Sequence, residues 1–220
     1  MSNEKEKDYY VKKKKSLMKQ YDIAVNICKN VLIKRFGENK FKDLITRARE
    51  EFESLIPELP FIGGKRNRNT DNLINGSMML VIIHNLEKEG LEFRELATLC
   101  KDLYEAFYKF LPSEDIFQED YINKIKEDAK NSQLKQYPED WVFEFIEGDG
   151  ETFDYGINYL ECGICKFFKK QNSENLIPLL CVADDVNAKC SGYGLNRPES
   201  IGNGDPICIF RYIKGSTKNF

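Results

Sequence analysis

Five of the seven cysteines fall between Glu161 and Arg211: Cys162, Cys165, Cys181, Cys190 and Cys208. A thiol packs, ligates a metal or attacks an electrophile, and its neighbours decide which. Two of these thiols stand in polar surroundings. Cys181-Val-Ala-Asp184 is one, and Cys208-Ile-Phe-Arg211, just behind the glycine turn Gly202-Asn203-Gly204-Asp205, is the other.

Cys162-Gly-Ile-Cys165 has the two-residue gap common in structural zinc sites, and Cys181 with Cys208 completes a candidate four-thiolate set. The second pair is spread over 27 positions and forms no close knuckle, and Cys162 and Cys165 can equally share one helix face. Zinc therefore stays open as a cofactor.

A nucleophilic cysteine needs a base, a cation or a helix N-terminus to favour its thiolate. The single histidine, His84, sits in the apolar Val81-Ile82-Ile83 run, where packing or capping is its expected work. Cys162 falls at a predicted strand-to-helix junction, where free N–H groups favour an anion. Arg211 is three residues beyond Cys208, a spacing that sends the two side chains to opposite faces of a strand. Cys181 and Asp184 share a helix face, which makes Asp184 a general acid/base candidate with a raised pKa. Asp185 fits a solvated face better.

The positioning elements read as follows. Leu17, Tyr21, Ala24, Cys28 and Val31 step by four and three, giving a helical stripe that forms core and could support a dimer. Gly37 ends that helix, and a second covers Phe41 to Leu55. Pro57, Pro60, Gly63 and Gly64 enforce a loop that continues through the donor-rich Lys65 to Asn72. Thr70 or Asp71 caps a helix running to Glu89-Gly90; others span Phe93 to Phe110 and lie between Glu114 and Ser132.

After Tyr137-Pro138 the pattern turns aromatic and alternating. Strands are expected over Trp141 to Ile146 and Thr152 to Tyr159, with Gly148-Asp149-Gly150 as a hairpin signal. Helices over Cys162 to Lys170 and Glu174 to Cys190 follow, then strands near Gly194 to Ser200 and Pro206 to Lys214. The expected class is α+β: a helical part, residues 1–136, packed on a small antiparallel sheet with two inserted helices, residues 137–220, as one continuous domain.

Composition narrows the partners. Hydrophobic residues at 41% and charged residues at 31% suit a globular chain, and a net charge of -3 argues against nucleic-acid or membrane-surface binding. The run Lys12 to Lys15 reads as a solvated helix start. No apolar run nears the roughly 20 residues a membrane span requires. The charged start Met1 to Lys7 lacks a signal-like apolar region, so a cytoplasmic location is expected. Seven cysteines, an odd number, do not suggest a disulfide framework.

The ordered set Thr152-Phe-Asp-Tyr-Gly-Ile-Asn-Tyr-Leu-Glu-Cys162-Gly-Ile-Cys165-Lys, Leu180-Cys181-Val-Ala-Asp184, Gly194-Leu-Asn-Arg197 and Gly204-Asp-Pro-Ile-Cys208-Ile-Phe-Arg211-Tyr resembles the L-2-amino-thiazoline-4-carboxylic acid hydrolase family. The likeness covers residues 140 to 213 well and the Gly63-Gly64-Lys65-Arg66-Asn67 loop more loosely. It implies hydrolytic opening of a five-membered cyclic amidine, giving N-carbamoyl-cysteine in the namesake reaction. Such an enzyme is classed with the hydrolases of C–N bonds other than peptide bonds, and its ring opening needs protonation of a leaving sulfur. The recurring positions are Cys162, Cys181, Asp184, Arg197, Gly204, Cys208 and Arg211. The chain departs from the pattern at Ile209, where an acid is usual, and at Pro198-Glu199-Ser200, where the family is Thr-rich.

On that resemblance Cys162 or Cys208, and next Cys181, is the expected nucleophile, and Asp184 holds the amidine or relays its proton. Arg197 or Arg211 would grip the substrate carboxylate, with Lys65 and Asn67 closing one side. The expected partner is a small-molecule substrate, with a homo-oligomer through the N-terminal helix as a further expectation. A second reading is a non-enzymatic sensor resembling vinyl-reductase-type domains, its thiols holding zinc or a small ligand.

Overall fold

The computed structural model describes residue 6 and residues 8–215; most of the charged run Met1 to Lys7 lies outside them. The architecture is α+β, with eight helices and one four-stranded antiparallel sheet among the described residues. The chain divides into two compact units, Met1–Phe110 and Leu111–Phe220.

The first unit is helical: α1 Tyr9–Lys12, α2 Lys14–Phe36, α3 Glu38–Leu55, α4 Thr70–Glu87 and α5 Phe93–Phe110. Gly37 ends α2 as expected, at φ 78°, with its N–H on the Ile33 carbonyl across 2.7 Å. Of the expected stripe, Leu17 and Tyr21 are fully buried, whereas Ala24, Cys28 and Val31 are half-buried. Tyr21 stacks on Phe52 of α3 at 5.4 Å. The start of α4 differs from expectation. Thr70 opens the helix without capping it, because its Oγ1 donates to the Gly64 carbonyl at 2.7 Å and ties down the preceding loop.

The second unit carries α6 Glu119–Ser132, β1 Val142–Glu147, β2 Tyr155–Glu161, α7 Gly163–Lys170, α8 Ile177–Ser191, β3 Gly194–Asn196 and β4 Cys208–Ile213. The strand order is β1-β2-β4-β3, antiparallel throughout. β2 starts three residues later than its aromatic pattern suggests. Asp149 Oδ1 accepts the N–H groups of Glu151, Thr152 and Phe153, which holds that stretch in the hairpin loop. β3 ends at Asn196, short of the expected Ser200. The next residues are Arg197 and Pro198, a residue without an N–H to donate, and a 3-10 turn forms at Ile201–Asn203.

Register fixes what each sheet face carries. Tyr159 pairs with Cys208, Ile157 with Phe210 and Tyr155 with Tyr212, so all six side chains share one face. Tyr155 stacks on Tyr212 at 4.7 Å, and Phe210, Ile157 and Leu195 are buried there. Burying side chains of this size contributes about 1.5–3 kcal/mol each. The other face carries Asn158, Ile209 and Arg211. There Gly156 opposite Arg211 leaves no room for a side chain, since a Cβ would sit 2.8 Å from the Phe210 carbonyl oxygen.

Candidate active site

Cys162 is the N-cap of α7, in extended backbone at φ -112°, where β2 gives way to the helix. The next residue must be small: a Cβ on Gly163 would lie 2.5 Å from the Trp141 ring. Cys162 therefore stays at the helix start with Trp141 packed over the first turn. Hydrogen bonding to Cys165 and burial push its thiol well above the usual range, and the Ile164 and Cys165 N–H groups act the other way.

α8 enters through a 3-10 turn at Glu174–Leu176, with Pro178 in its first turn, and ends on Gly192 in the left-handed region. Its sequence presents Cys181, Asp184 and Asp185 within two turns. After β3 the chain brings Arg197 back against that helix. Arg197 Nη1 donates to Asp184 Oδ2 at 3.2 Å and Nη2 to Asp185 Oδ2 at 2.7 Å. Only 11% of the Arg197 side chain is exposed, and its guanidinium carbon lies 5.5 Å above the Phe210 ring.

The segment from Ser200 to Asp205 closes on itself. Asp205 Oδ2 accepts the Ser200 N–H at 2.8 Å, while the Ser200 carbonyl accepts the N–H groups of Asn203 and Asp205. This lock presents two donors to sulfur. The Ile201 N–H donates to Cys208 Sγ at 3.2 Å, and the Ser200 hydroxyl donates to Cys181 Sγ at 3.7 Å. The Cys208 thiol in turn donates to Ser200 Oγ at 3.9 Å. Ser200 is 2% exposed and links the two thiols. Gly202 lets the turn approach, since a Cβ there would meet Cys181 Sγ at 2.7 Å.

Electrostatics keep these thiols protonated near neutral pH. Burial pushes Cys181 up to about 11; Asp184 adds to the rise, and the Ser200 hydroxyl and Arg197 oppose it. Burial also raises Cys208, against the Ile201 N–H, which favours its thiolate. Desolvation lifts the Asp184 carboxyl to about 6, with Arg197 pulling it down and Asp185 lifting it further. Because 49% of the Asp184 side chain meets solvent, water still supports its ionised form and tempers that rise.

The sequence-derived candidates thus separate. Cys162, Cys181, Asp184, Arg197 and Cys208 belong to one electrostatic neighbourhood in the second unit. Arg211 does not point with Cys208. It lies on the opposite sheet face, donating from Nη1 to Asn158 Oδ1 at 2.9 Å and to its neighbour's carbonyl, Phe210 O, at 2.8 Å. Lys65 and Asn67 belong to the first unit. Asn67 is engaged in its own loop, donating to the Ile62 carbonyl at 2.5 Å and accepting the Asn69 N–H at 2.8 Å. His84, also in the first unit, meets Glu51 at 2.6 Å.

All seven cysteines are free thiols, and among the described residues no group of three or more His, Cys, Asp or Glu side chains is arranged to hold a metal ion. The candidate set of Cys162, Cys165, Cys181 and Cys208 is therefore not arranged as a metal site. Three features lay beyond the sequence reading. These are Ser200 between two thiols, the Ile201 N–H aimed at sulfur, and the grip of Asp185 on Arg197, which corrects its reading as the solvated aspartate, since its side chain is 39% exposed against 49% for Asp184. Asp205, five residues past a serine, was the available signal for a closed turn.

The profile of the L-2-amino-thiazoline-4-carboxylic acid hydrolase family matches residues 71–212. No curated protein and no solved structure matches the chain.

Proposed function

The chain belongs to the L-2-amino-thiazoline-4-carboxylic acid hydrolase family, and from that premise we propose that its second unit opens a five-membered cyclic amidine through Cys208. One observation carries the choice of thiol. Cys208 combines a backbone N–H on its sulfur, from Ile201, with an oxygen acceptor for its own proton, Ser200 Oγ; Cys162 also receives backbone N–H groups, but its side-chain partner is another thiol, Cys165.

The chemistry balances without an external base. Cys208 sulfur attacks the carbon between the two nitrogens and the ring sulfur, as its proton leaves by way of Ser200. The bond from that carbon to the ring sulfur breaks, and the ring sulfur takes up the proton as a thiol. Water then attacks the same carbon, the bond to Cys208 breaks, and the Cys208 thiol is restored. Both amidine nitrogens stay on the carbon, which leaves as a carbamoyl group bearing the oxygen of water. Asp184, ionised above about 6 and acting on Cys181, is the carboxylate that would hold an amidine N–H through the reaction. Cys181 shares Ser200 with Cys208 and steadies the hydroxyl that moves the proton.

One comparison tests this reading. Thiol release from a 2-aminothiazoline substrate is measured for the intact chain and for Cys208→Ala. The variant is expected to lose turnover while keeping its fold; equal turnover in both would remove Cys208 from the mechanism.

A further inference from the structure

Resting on the ring-opening reading above, we infer that the preferred substrate is a cationic cyclic amidine without a carboxylate, of the 2-amino-2-thiazoline type. The namesake acid is the poorer fit.

The observation is the occupancy of Arg197. A guanidinium that grips a substrate carboxylate does so with its two terminal nitrogens in a fork. In this chain both are already committed, Nη1 to Asp184 and Nη2 to Asp185. Among the described contacts, Arg197 is the cation that acts on Cys181 and Cys208. Arg211 faces away across the sheet, on Asn158. Lys166 and Lys135, the cations nearest Cys162 in sequence and pairing, are both held by Glu161.

Charge points the same way. Two carboxylates and one guanidinium sum to -1 beside the thiols. A substrate carboxylate would be a third negative charge there, and would compete with two aspartates for a guanidinium whose side chain is only 11% exposed. A protonated amidine instead supplies N–H donors and the balancing positive charge. The oxygens it needs are reachable, since 49% of the Asp184 side chain and 39% of Asp185 are open to solvent while Arg197 is closed off behind them. Opening the ring of this cation would consume one water, break the bond from the amidine carbon to the ring sulfur, and release neutral N-carbamoyl-2-aminoethanethiol and one proton to solvent.

The test gives the intact chain 2-amino-2-thiazoline and L-2-amino-thiazoline-4-carboxylate separately, and follows release of free thiol. The expected result is a kcat/KM at least tenfold higher for the compound without the carboxylate. A smaller ratio, or a preference for the acid, overturns the inference and leaves the ring-opening reading standing. Opening of neither compound overturns that reading, and this inference with it. Asp185→Asn removes one negative charge while keeping an acceptor for Arg197, and is expected to lower the ratio at least fivefold. An unchanged ratio in that variant also overturns the inference.

Discussion

The backbone N–H of Ile201 points at the sulfur of Cys208 across 3.2 Å, from the first residue of a 3-10 turn locked by Asp205 on Ser200. A donor fixed by backbone is already in place when negative charge reaches that sulfur, so it lowers the barrier without reorganising. Cys208→Ala is therefore expected to reduce kcat/KM on the order of 10³-fold or more, with circular dichroism unchanged. Cys181→Ala should retain measurable turnover. The reverse order of effects would transfer the nucleophile's part to Cys181.

Ser200 supplies the next prediction. It is buried, and its hydroxyl takes part in hydrogen bonds with both Cys181 and Cys208. Ser200→Ala should lower kcat about a hundredfold with little change in KM, as loss of a proton carrier does. Steady-state kinetics decides the matter, and an unaltered kcat would exclude a relay through Ser200.

Asp184 sets a pH limb. Its carboxyl is raised from the ordinary carboxylate range toward about 6, because desolvation disfavours its charge, and the water that meets half of the side chain tempers that rise. The ionised form is the one that holds an amidine, so activity is present above about 6 and falls as pH drops through that value. Asp184→Asn should abolish this acidic limb and reduce kcat/KM. A pH–rate profile of both proteins tests it; the same limb in the variant would assign the titration elsewhere.

Gly156 ties fold to sheet geometry. A Cβ there would sit 2.8 Å from the Phe210 carbonyl oxygen, which belongs to the partner strand's backbone and cannot swing aside. Gly156→Ala should cost about 1–3 kcal/mol and lower the thermal midpoint. Calorimetry showing an unchanged midpoint would mean that β2 and β4 adjust freely.

Local signals made much of this fold legible. The period of α2, the stop at Gly37 and the alternation in β4 each express a rule acting within a few residues. The opposed directions of Cys208 and Arg211 followed from strand alternation alone. Short β3 and late β2 were less visible, since side-chain locks by Asp149 and Asp205 override β-propensity over single turns. Arg197 shows the deeper limit. Its charge suggested a carboxylate grip, but its commitment to Asp184 and Asp185 depends on where β3 returns beside α8. Ser200 was hidden for a related reason: a lone serine becomes notable only when folding sets two sulfurs beside it.

The most direct measurement is acid quench of the enzyme during turnover of a 2-aminothiazoline, followed by peptide mass mapping. Attack before water enters loses no atoms, so Cys208 should gain the mass of the whole substrate, and Cys208→Ala should gain none. Turnover with that mass on Cys162 or Cys181, or undiminished turnover by Cys208→Ala, would contradict the account.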